Sequence, residues 1–63
     1  MKNNIKHYRK MLNITQEDLA SKLSATRQTI NAIENNKYNP TLELAMKMSK
    51  FLNVPVETLF ILE

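Results

Sequence analysis

The chain has no cysteine and no glycine, a single histidine and two prolines. Without cysteine there is neither a disulfide nor a thiolate metal site to brace the fold. One histidine, His7, excludes a paired-histidine metal site. The missing glycine and scarce proline argue against a turn-rich all-β domain, which draws on both residues at its turns. No apolar run reaches the roughly 18 residues a membrane span needs. The first residues hold no continuous apolar stretch of the kind a secretory signal carries. With no cysteine to oxidise, the expected location is cytoplasmic.

What is present is small and partly apolar. Sixty-three residues, 43% of them hydrophobic, suit one ordered domain over 1–63 and argue against disorder. A chain of this length buries only about 60% of the surface its unfolded form exposes. Its core supplies roughly 3–5 kcal/mol, so tight helix packing or association with another chain is expected to complete it. The net charge of +3 is unevenly placed. Lys2, Lys6, Arg9 and Lys10 precede the first acid, Glu17. A basic start fits a polyanionic partner, although charge alone decides little.

Apolar spacing is helical almost throughout. Ile5, Tyr8, Met11 and Leu12 predict a first helix over 4–12, and Asn13 suits a left-handed stop. Thr15 is an N-cap with Glu17 and Asp18 in the following turn, close to a capping box. It opens a second helix over 16–23, with Leu19, Ala20 and Leu23 on one face. Thr26 caps a third, over 27–35, whose inward residues are Ile30 and Ile33. A polar loop leads to Pro40, and Thr41 caps a fourth helix over 42–52. Pro55 opens a fifth, over 55–61. The expected class is all-α, with five short helices.

The second and third helices, each capped and joined by a short turn, form a helix-turn-helix pattern. Opposite Ile30 and Ile33 lie Gln28, Asn31, Ala32 and Asn35, with Arg27 at the flank. Amide side chains can pair with adenine through N6 and N7, and arginine with guanine or a phosphate. Such a face suits base edges in a major groove, but a polar outer face is also what any amphipathic helix shows.

Three segments sharpen the choice: Gln16-x-x-Leu19-Ala20-x-x-Leu23, Arg27-Gln28-x-Ile30-x-x-Ile33-Glu34, and Asn39-Pro40-Thr41-Leu42. Together they resemble the lambda-repressor-like, Cro-type helix-turn-helix family, over about Ile5 to Phe60. The resemblance implies a third helix in the major groove of double-stranded DNA and dimers reading two half-sites. It casts Arg27, Gln28 and Asn31 as base readers. Gln16 is a phosphate or third-helix contact, or simply packs. Thr26 caps its helix and can also meet a phosphate. Lys37, Tyr38 and Asn39 follow the third helix and are candidates for the DNA backbone, unless they are merely solvated. The family often joins the positions of Arg9 and Glu34 in a partly buried ion pair. Ser24 and Asn13 depart from the pattern, standing where glycine is common.

The last third carries more apolar residues than one small core needs. A homodimer through a segment of about 54–63 is expected, using Val56, Leu59, Phe60, Ile61 and Leu62. Alternatively the tail folds back on its own core, pairing as a strand with residues 1–4. The leading function is a sequence-specific transcriptional regulator, a repressor occupying a palindromic operator. The alternative is an antitoxin or anti-repressor that acts by binding protein. No nucleophile–base set is visible, so no catalytic residue is expected. No cofactor, metal or small-molecule ligand is expected either. RNA binding lacks an aromatic stacking platform.

Overall fold

The computed structural model describes residues 1–62. The element order is β1 (Lys2–Asn3), α1 (Ile5–Met11), α2 (Gln16–Lys22), α3 (Arg27–Glu34), α4 (Leu42–Leu52), α5 (Val56–Leu59) and β2 (Phe60–Ile61). All five expected helices are present. The first three end one residue before the expected limit, because the last residue of each acts as its C-cap.

Three threonines start three helices. The Asp18 N–H donates to the Thr15 hydroxyl at 3.0 Å, and the Thr15 N–H donates to the Asp18 carboxylate at 3.1 Å, completing the capping box. These bonds, the backbone one first, hold the Asp18 carboxyl below its ordinary pKa. Thr26 accepts from the Thr29 N–H, and Thr41 from the Leu44 N–H.

The helix stops are made without glycine. Asn13, Ser24, Asn36 and Asn53 all have positive φ, between 56° and 60°. After α1 the Ile14 N–H reaches back to the Arg9 carbonyl and the Asn13 N–H to that of Lys10. The pairs Ala25 to Ala20 and Ser24 to Ser21 repeat this after α2, and Lys37 to Ala32 and Asn36 to Ile33 after α3. This is the double bond of a Schellman stop. Asparagine tolerates the left-handed region. Serine does so less readily, so Ser24 carries a local cost.

The core is built from every helix: Ile5, Leu19, Ala20, Leu23, Ile30, Ile33, Ala45, Met48, Leu52 and Leu59, with Phe60 from β2. Met11 and Leu12 do not join it. They are 68% and 48% exposed, and α1 instead turns Arg9 inward beside Ile5.

The tail differs from the expected fifth helix. It leaves the helix at Leu59, and Phe60 is extended at φ −117° and ψ 129°. β1 and β2 pair antiparallel, Lys2 with Ile61 and Asn3 with Phe60. The Asn4 N–H adds a bond to the Leu59 carbonyl at 2.8 Å. An aromatic followed by a β-branched residue fits this half-buried extended path. Leu59 and Phe60 are therefore packed in the chain's own core. They are not open to a second copy; of the five expected interface residues, Ile61 and Leu62 are exposed and Val56 half-buried. The last residue of the 54–63 segment lies outside the described residues.

Candidate nucleic-acid interface

The polar face of α3 begins directly after its Thr26 cap. Arg27, Gln28 and Asn31 are exposed and line one shallow depression of about 190 Å³. Their side chains converge because Arg27 and Gln28 precede Asn31 by about one helical turn. Ala32 is half-buried beside them.

The inner edge of this face is fixed by a polar network. Arg9 Nε donates to Glu34 Oε2 at 2.7 Å and its Nη2 to Oε1 at 3.2 Å, a forked pair. Its Nη1 donates to the Ile14 carbonyl at 2.8 Å. The Glu34 side chain is only 3% exposed and that of Arg9 10%. Gln16 Nε2 reaches across from α2 to Glu34 Oε1 at 3.0 Å and to Asn31 Oδ1 at 3.2 Å. So α1, α2 and α3 meet at one carboxylate. A buried ion pair of this kind fixes geometry more than it stabilises, but removing one partner strands the other's charge.

The C-terminal end of α3 is also held by Asn3, which the sequence reading did not single out. Its Nδ2 donates to the Ile33 carbonyl at 2.7 Å and to Asn36 Oδ1 at 3.1 Å. Asn35 was noted on the outer face but given no role. Its Nδ2 donates to the Asn31 backbone carbonyl at 2.9 Å and to Asn31 Oδ1 at 3.1 Å. Asparagines in a row carry no periodic signal, so these links were not legible beforehand.

A larger open hollow of about 690 Å³ adjoins the α3 face, where α1 ends and α2 begins. Lys10, Thr15, Gln16 and Arg27 are on its wall. Lys10 was not among the expected backbone contacts, although the acid-free start of the chain hinted at it. Lys37, Tyr38 and Asn39 are exposed directly after α3. Thr26 is committed to its cap, with its hydroxyl also 2.9 Å from that of Thr29. Among the described residues no cluster of three or more acidic or histidine side chains is placed to hold a metal ion. Among the described residues no helix is long and apolar enough to cross a membrane.

The comparisons agree with this geometry. The helix-turn-helix family profile matches residues 5–59. An uncharacterized HTH-type transcriptional regulator of Methanocaldococcus jannaschii is 57% identical over the whole chain, which spans 96% of that protein. Proteins of the same description in Archaeoglobus fulgidus and Bacillus subtilis are each 41% identical over the whole chain, which covers 89% and 96% of them. The family is one of DNA-binding transcriptional regulators and not of enzymes. With the profile covering most of the chain and an exposed, braced third helix at its centre, this protein belongs to the Cro-type helix-turn-helix family.

Proposed function

We propose that the protein is a dimeric repressor that occupies a palindromic operator, with α3 in the major groove. The observation that carries this reading is the exposed row Arg27, Gln28 and Asn31 on a helix braced from behind by Gln16, Arg9 and Glu34. A reading helix must hold its side chains to a fixed register, and this network supplies that. Arg27, Gln28 and Asn31 read base edges. Gln16 and Thr26 sit at helix starts beside the DNA backbone, and Lys37, Tyr38 and Asn39 meet it beyond α3. The basic residues supply salt-dependent affinity.

The second copy docks on the exposed end of the tail. Ile61 and Leu62 are 40% and 89% exposed, and Met1 beside them 43%. Two recognition helices would then stand about 34–36 Å apart on one side of the duplex.

Selection from a random duplex library at physiological salt tests the reading. A two-fold symmetric motif with half-sites about one turn apart is expected. Gln28→Ala should cost ~1–3 kcal/mol at the cognate site and relax one base position. Lys37→Ala should weaken all sequences alike and lower the salt slope by about 1. No enrichment by the wild-type protein would sink the proposal and point to a protein partner. A monomer by light scattering at tens of micromolar would remove the dimer.

A further inference from the structure

Two amides face outward from α3, but they are not equivalent. Gln28 makes no hydrogen bond to the chain among the described residues, so both ends of its amide are available. Asn31 is different. Its Oδ1 accepts from Gln16 Nε2 at 3.2 Å and from Asn35 Nδ2 at 3.1 Å. A carbonyl oxygen has two lone pairs, and both are engaged.

The polarity of this arrangement is set from outside Asn31. An amide's oxygen and nitrogen can be exchanged unless a neighbour decides between them. Here neighbours decide on both sides. Gln16 also reaches Glu34 Oε1 at 3.0 Å, and a carboxylate only accepts, so Gln16 must present its NH₂. Asn35 also reaches the Asn31 backbone carbonyl at 2.9 Å, which again only accepts, so Asn35 must present its NH₂ as well. Two donors then converge on Asn31, and its oxygen has to face them. Its own NH₂ is left pointing outward.

Resting on the proposed DNA reading, we infer that Asn31 is a donor-only reader that needs an acceptor on the base edge and so selects against cytosine, and not a bidentate adenine reader. Adenine recognition by an amide needs an acceptor for N6–H and a donor for N7 together. Asn31 has only the donor to offer. Guanine presents O6 and N7, and thymine presents O4, all acceptors. Adenine also offers N7, with its N6 amino group left unmatched, whereas cytosine presents only an amino donor and sets donor against donor. The adenine-pairing role falls to Gln28 alone.

Asn31→Asp is the sharp variant, because an Asp carboxylate keeps an oxygen toward Gln16 and Asn35 and replaces only the outward NH₂ by an acceptor. In library selection, the position that Asn31→Ala relaxes should disfavour cytosine in the wild-type motif, at roughly tenfold. Asn31→Asp should shift that position toward cytosine, whose N4 amino group a carboxylate accepts, whatever its overall affinity. A cytosine at this position in the wild-type motif, or no change of base with Asn31→Asp, would overturn the inference. The polarity is also read without DNA, by NMR of the free protein. The Asn31 NH₂ protons should exchange with solvent at the rate of an exposed amide. Gln16→Ala should move the Asn31 side-chain carbonyl carbon. Protected NH₂ protons with an unmoved carbon would overturn the assignment. If the wild-type protein selects no motif, the operator reading and the base preference fall together, while the NMR result still decides the polarity.

Discussion

The two halves of the molecule are held together by different chemistry. From α1 to α3, polar side chains cross between elements: Arg9 to Glu34, Gln16 to Glu34, Asn3 to Ile33. From α4 to β2 the links are mostly apolar, through Ala45, Met48, Leu52, Leu59 and Phe60, with the short β1–β2 ladder at the end. The difference follows the work each half does. Apolar packing is strong but non-directional. Forked and shared hydrogen bonds fix angles, and angles are what a helix needs when its side chains must register with a groove. The reading half adds a polar brace for orientation to its share of the core, and the other half relies mainly on burial.

The contrast can be broken most forcefully on the polar side. Glu34→Ala leaves the Arg9 guanidinium buried with only the Ile14 carbonyl and removes one Gln16 acceptor. It should cost about 3–5 kcal/mol in urea unfolding. The double change Arg9→Met, Glu34→Leu should recover much of that stability while still impairing DNA binding. Equal losses of stability in the single and double variants would mean that the pair is a stabiliser and not a positioning device. On the apolar side, Leu59→Ala opens a fully buried site and should cost about 2–5 kcal/mol. Leu62→Ala, at 89% exposure, should leave the monomer within about 0.5 kcal/mol. A large stability loss from Leu62→Ala that depends on protein concentration would instead locate the dimer contact there. The smallest expected effect is a gain. Ser24→Gly removes a left-handed serine at φ 56° and should stabilise by roughly 0.5–1 kcal/mol, read as a rise in Tm.

Much of the helical frame was legible in the sequence because its signals are local. Thr15, Thr26 and Thr41 mark helix starts within one turn, and the spacing of Leu19, Ala20 and Leu23 declares a face. Pairing of the tail as a strand with residues 1–4 was one of two open readings, and the structure takes it; the α5–β2 boundary itself was not legible, since Leu59, Phe60, Ile61 and Leu62 have no polar interruption to separate a helix from a strand. Pairing with Lys2 and Asn3 decides it, and that partner lies at the far end of the chain. Likewise the row of exposed side chains on α3 follows from helical periodicity, whereas the engagement of Asn31 by Gln16 and Asn35 depends on how α2 crosses α3. Met11 and Leu12 misled for the converse reason. Hydrophobic type suggested burial, but the inward position beside Ile5 goes to an arginine whose charge is met inside.

The pairing of Asn3 with Phe60 has a consequence for the order in which the protein assembles. Its partners are separated by almost the whole chain, and closing so long a loop is entropically late. The helix-turn-helix contacts are near-neighbour and form early. The contacts among α1, α2 and α3 can therefore form before residues 60 and 61 pair. Only when they pair does β1 settle against β2 and bring Asn3 to rest on the end of α3. The reading helix acquires its shape first and its anchorage last.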